Sequence, residues 1–173
     1  MTIFKNKLLS YFLLSLGISS FVVSCTGRSN QDGNQSSGVA PDTQKIVLQT
    51  VDNEKKFDRD SLTVHTGDPV QLKLINNATL PVMEHNVVIV KKGTEKAVAL
   101  AGLDAGPDAH FVAPDDSNVV ASTMIAGPGE SVSVTFTPPD TGTYGFVCTY
   151  PGHYSMQKGV FRVILPPDST NTK

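Results

Sequence analysis

From Lys45 onward the apolar residues fall in short runs, each closed by Gly, Pro, Asn or Asp, and this rhythm limits the possible folds more than any other feature. Val70, Leu72 and Leu74 alternate with Gln71 and Lys73. Val132, Val134 and Phe136 alternate with Ser131, Ser133 and Thr135. A period of two puts the apolar set on one face of a strand and the polar set on the other. Ile46, Val47, Leu48 and Val51 predict a first strand, and Leu62 and Val64 lie in a second. Residues 86–90 form a nearly continuous apolar strand, and residues 144–148 and 159–165 form the last two. Turn signals lie between them at His65-Thr66-Gly67-Asp68-Pro69, Asn76-Asn77 and Pro138-Pro139-Asp140-Thr141-Gly142. Seven or so short strands spaced this way predict an all-β, antiparallel sandwich. Gly and Pro together supply 25 residues and Trp none, which also favours β structure over a helical bundle. A domain of roughly 120 residues can bury a core without disulfides.

Residues 93–119 break the rhythm. Residues 94–103 predict a short helix, and the Gly, Pro and Asp beyond it predict irregular loop. So long an excursion in a compact β domain reads as a functional flap.

The first 24 residues read as a leader: Lys5 and Lys7, an apolar stretch over 8–23, then Val22-Val23-Ser24-Cys25. The small residue before Cys25 resembles a bacterial lipobox, which makes Cys25 the expected lipidated first residue of the mature chain. Residues 25–44 are polar and rich in Gly, Ser, Asn and Gln, as a flexible tether would be. The expected domain spans 45–166, with a tail at 167–173. The formal charge is −2, and losing the leader removes two lysines and no acid. Nothing in that balance favours nucleic acid or attraction to an anionic membrane surface. If Cys25 is lipidated, Cys148 has no disulfide partner. A lone thiol in an oxidising compartment is buried or has chemistry to do.

The chemistry gathers in Cys148-Thr149-Tyr150-Pro151-Gly152-His153-Tyr154-Ser155-Met156-Gln157-Lys158-Gly159. A thiolate and an imidazole share a Pro-Gly loop between two strands, and a second imidazole, His85, opens a strand far upstream. Two His and one Cys with a weak axial fourth donor suit copper electron transfer. One Cys cannot support an iron–sulfur cluster. The spacing of Asp104, Asp108, Asp115 and Asp116 matches no EF-hand loop. His65 and His110 are expected to be solvated, Met124 to be core, and Lys55-Lys56 and Lys91-Lys92 to be solvated faces.

The loop resembles that of azurin, whose pattern runs Cys-x4-His-x3-Met-Lys-Gly. Leu80-Pro81-Val82-Met83-Glu84-His85-Asn86, Pro114-Asp115-Asp116-Ser117 and residues 127–136 resemble azurin segments in the same order. The resemblance covers residues 45–165 and implies a Greek-key, cupredoxin-like sandwich with a helix/loop flap, holding one type 1 copper ion. It implies His85, Cys148 and His153 as strong ligands. Asn86 would hydrogen-bond near the Cys148 sulfur, and the Glu84 carbonyl would make a weak opposite axial contact. Met83, Pro151, Gly152, Tyr154 and Met156 would surround the surface edge of His153 as a docking patch. The axial position falls on Gln157, where azurin has Met, with Met156 one residue early as the alternative. Glu84 stands where azurin has Gly.

These expectations describe a single-electron carrier rather than an enzyme, since no Ser/His/Asp set or paired acids in a cleft is visible and no small-molecule substrate is implied. The expected partners are c-type cytochromes or a membrane oxidase or reductase. The expected location is a bacterial membrane, with the domain lipid-anchored and facing the periplasm or the cell surface. The competing reading is an exported copper storage or delivery protein.

Overall fold

The computed structural model describes residues 42–167. The expected leader at 1–24, Cys25, most of the expected tether and all but the first residue of the expected tail lie outside the described residues. Eight strands appear in chain order: β1 (Gln44–Gln49), β2 (Ser61–His65), β3 (Val70–Ile75), β4 (Val88–Lys91), β5 (Val119–Ser122), β6 (Ser131–Phe136), β7 (Gly142–Val147) and β8 (Lys158–Ile164). Helix α1 (Glu95–Ala105) and a 3-10 turn (Pro107–Ala109) fill the segment between β4 and β5. They are the predicted helix and loop of the flap.

The strands form two sheets, ordered β1-β3-β6 and β2-β8-β7-β4-β5. The sandwich is not purely antiparallel: β1 pairs with β3, and β2 with β8, in parallel. The cause is that β2 belongs to the other sheet, so the chain leaves the first sheet after β1 and re-enters it in the same direction at β3. Alternation alone does not reveal such a crossing.

The core follows the period of two. Val70, Leu72 and Leu74 are fully buried while Gln71 and Lys73 face water. They meet Leu48, Leu62, Val64, Phe146 and Phe161 between the sheets. Burying each such side chain stabilises the fold by about 1.5–3 kcal/mol. β4 explains its own continuous apolar run. Val87 and Ile89 enter this core, while Val88 and Val90 meet Val98 of α1 and Val147 on the opposite face of the sheet. Gly159 lets β7 and β8 close tightly, since a Cβ there would overlap the Phe146 ring and the Asp60 carbonyl. At the Pro138-Pro139 corner, the Tyr144 hydroxyl donates to the Asp140 carbonyl at 3.0 Å.

Candidate metal centre

β7 ends at Val147, so Cys148 stands at the first position of the loop and Gln157 at the last, just before β8. The two ends are tied by Cys148 N–H donating to the Gln157 carbonyl at 2.9 Å. Between them Tyr150-Pro151-Gly152-His153 makes a tight turn in which His153 N–H donates to the Tyr150 carbonyl at 3.1 Å. Pro151 presets the first turn position, and Gly152 takes the left-handed φ of 77° that the second requires. Met156 and Gln157 N–H both donate back to the His153 carbonyl, which turns Gln157 under the loop. His85 comes from elsewhere, held by a two-way backbone bridge to Ala126 with N···O distances of 3.1 and 2.7 Å.

This folding brings Cys148 Sγ to 3.6 Å from His153 Nδ1 and 3.9 Å from His85 Nδ1. The three donor atoms lie within 4.8 Å of one another, and they are the one such group among the described residues. Gln157 Oε1 is hydrogen-bonded to His85 Nδ1 at 2.8 Å. All four side chains are at most 2% exposed. Burial holds both imidazoles below their ordinary range. His153 falls to about 4, with the charges of His85 and Lys55 adding to the effect and a Gln157 hydrogen bond opposing it. Burial pushes the Cys148 thiol up to about 12, while the backbone amides of Asn86 and Tyr150 act the other way and favour the thiolate. The centre is therefore neutral by itself and ready to trade the thiol proton for a cation. His85 Nε2 and Gln157 Nε2 are buried without a hydrogen-bond partner, a cost that native interiors carry chiefly at functional places. Two neutral imidazoles, a thiol and an amide oxygen fit copper.

The model of copper binding proteins of the plastocyanin/azurin family matches residues 44–164. The chain belongs to the plastocyanin/azurin family. It is 42% identical over 125 residues to auracyanin-A of Chloroflexus aurantiacus, covering 71% of this chain and 75% of that one. It is 34% identical over 120 residues to azurin of Pseudomonas putida, covering 66% and 94%. The structure of auracyanin A, described as a "blue" copper protein, superposes with a TM-score of 0.66 at 39% identity, covering 71% of this chain and all of that one. The fold is therefore the cupredoxin sandwich, and the His85, Cys148 and His153 group is consistent with a type 1 site for one copper ion. The chain is a blue copper electron-transfer protein.

In this cupredoxin the donors are braced by buried amides and hydroxyls. Asn86 Nδ2 donates to Thr149 Oγ1 at 2.8 Å, and its Oδ1 accepts from Thr149 N–H at 2.8 Å, joining the His85 segment to the Cys148 loop. Asn76 holds the other side. Its Nδ2 donates to the carbonyls of Met83 and of Ala126, the bridge partner of His85. Thr123 Oγ1 accepts from Val87 N–H. Asn76 reads as a turn marker in the sequence and Thr149 has no signal there. Only their burial and partners identify them as supports.

The remaining expected site residues divide. Pro151, Gly152 and Met156 are exposed. Met83 is 6% exposed and belongs to the interior, a correction that follows from its segment folding inward ahead of His85. Tyr154 is half-buried against the Val88 and Val98 cluster beside α1. His153 itself is buried. Met156 is 63% exposed and lines a surface hollow with Lys56, Arg59 and Lys158. Glu84 is half-buried, and its carboxylate adds to burial in holding the Tyr150 hydroxyl above its ordinary range. Met124 is mostly exposed rather than core. Lys55 is more than a solvated face, since its Nζ donates to the Gly152 carbonyl at 3.2 Å. The His65 backbone is held at both ends by the Gln44 side chain. The His110 side chain is exposed in the flap.

Proposed function

We propose that this protein shuttles single electrons through one copper ion held by His85, Cys148 and His153, with Gln157 as the axial donor. The observation that carries this reading is the burial of all four side chains around one point, at the β7–β8 junction and just ahead of β4 in the same sheet. When bound, copper supplies a one-electron couple. The chain holds the donors at fixed separation and excludes water, so little rearranges as charge comes and goes. Gln157 is favoured over Met156 because its Oε1 is 2.8 Å from His85 Nδ1, whereas Met156 is mostly solvent-exposed. An amide oxygen is a harder donor than a thioether and favours the oxidised ion. A storage or delivery role needs ligands that open to exchange, and the enclosure of these four speaks against it.

The sequence further supports an exported domain, lipidated at Cys25 and facing the periplasm or the cell surface. A tether would confine it near membrane-bound redox partners and raise their effective concentration. Its encounters with c-type cytochromes or a membrane oxidase or reductase would be small and weak. Labelled palmitate entering the wild-type chain but not Cys25→Ala tests the anchor.

The copper-loaded protein should be intensely blue, and Cys148→Ser should be colourless. Gln157→Met should raise the reduction potential, while Met156→Ala leaves it unchanged. The reverse pattern would move the axial role to Met156, and a colourless wild-type copper complex would end the electron-carrier reading.

A further inference from the structure

The loop after α1 contains two consecutive residues other than glycine in the left-handed region, His110 at φ 52° and Phe111 at φ 56°. Side chains disfavour this conformation, and it persists where the surroundings over-determine it. Here they do. His110 N–H donates to the Pro107 carbonyl and Phe111 N–H to the Gly106 carbonyl. Helix α1 backs onto this elbow through Gly102, where a Cβ would overlap the Phe111 carbonyl. Each of the two residues then reaches a different part of the metal centre. The His110 carbonyl accepts from Asn86 Nδ2 at 3.0 Å. The Phe111 ring meets Tyr150 edge-on, with centroids 5.3 Å apart and planes at 81°. Tyr150 lies in turn against the His153 ring, with centroids 5.0 Å apart.

We propose that the His110-Phe111 elbow is a positioning element of the copper centre, gripping the His85 segment through Asn86 and the Cys148 loop through Tyr150. Asn86 in turn bonds to both the side chain and the backbone N–H of Thr149, next to Cys148. One short segment thus fixes the side-chain amide that joins the His85 segment to the Cys148 loop, and the ring beside His153. The role rests on the reading that His85, Cys148, His153 and Gln157 hold copper. Loosening the elbow thins the apolar cover over Tyr150 and His153, and a wetter surrounding favours the more highly charged oxidised ion. It also frees the His153 ring to move between oxidation states.

The test uses the full chain with Phe111→Ala, Phe111→Leu and Phe111→Tyr. The Ala and Leu variants should remain blue, with a lowered reduction potential and several-fold slower electron self-exchange, and the Tyr variant should restore both. In the metal-free protein, Phe111→Ala should speed hydrogen exchange at His153 N–H, which donates to the Tyr150 carbonyl, and leave the β3 amides unchanged, which separates positioning from general loss of stability. A folded Ala variant with wild-type potential and exchange rate overturns the proposal, as does a Tyr variant that fails to restore them. Should the Ala variant not fold, the Leu variant decides by the same criteria. A wild type that binds copper without colour refutes the metal reading instead, and a blue wild type with indifferent variants refutes only the elbow.

Discussion

At the end of the sandwich where β7 gives way to β8 lie all the buried polar side chains among the described residues, from Thr50 and Asn76 to His153 and Gln157. At the opposite end, where β6 turns into β7, closure is achieved by surface contacts. Tyr144 hydroxyl bonds to the Asp140 carbonyl, and the Gln44 amide spans the N–H and carbonyl of His65. The two ends share the same strands and the same apolar core, so the difference is not one of fold. Burying polar groups costs free energy unless each finds a partner. The site end bears that cost to hold donors around a metal, and two atoms there stay unpartnered. The other end has only to turn the chain. Apolar burial between the ends offsets the deficit.

Asn76→Ala should break this contrast most severely. It strips hydrogen bonds from Thr50 Oγ1, Ala78 N–H and the carbonyls of Met83 and Ala126, leaving buried groups unsatisfied. A loss of about 3 kcal/mol in denaturant unfolding is expected, with weaker copper retention because His85 loses its backing.

Acid should come next, acting on the site end of the metal-free chain. His153 titrates at about 4 when folded and near 6.5 when unfolded, and His85 shifts the same way. Over that window the unfolded chain binds more protons, so stability is full above pH 6.5 and is lost as the pH falls toward 4. Melting temperatures across this range measure it. A flat profile would mean that the histidines exert no such strain.

Tyr144→Phe should have the smallest effect. It removes one exposed hydrogen bond at the far end, costs about 1 kcal/mol or less by the same unfolding measurement, and leaves the colour of the copper form unchanged. A loss as large as that of Asn76→Ala would show that the two ends are not differently built.

Much of this protein is written in local patterns. Alternation at Val70, Leu72 and Leu74 marks strand faces whatever the topology, because side chains on a strand point to opposite sides in turn. The Cys148-to-Gln157 loop carries three donors within one turn-rich segment, so their proximity is covalent and legible. Pro151-Gly152 already specifies the turn that aims His153. The parallel pairings of β1 with β3 and β2 with β8, the inward fold of Met83 and the exposure of Met124 depend on which sheet each strand joins, and residue order is silent on that.

The sequence by itself therefore determined the all-β character and the donor loop and, through resemblance, named the three residues that the fold brings together as a candidate copper site. Tertiary structure decided which axial candidate is enclosed, since Gln157 and Met156 are neighbours and only the turn before β8 sends one inward and the other to solvent. It also brought Asn76, Thr149 and the His110-Phe111 elbow against the segments that carry the donors. Most of their partners lie tens of residues away along the chain, and such contacts arise only when the whole domain folds.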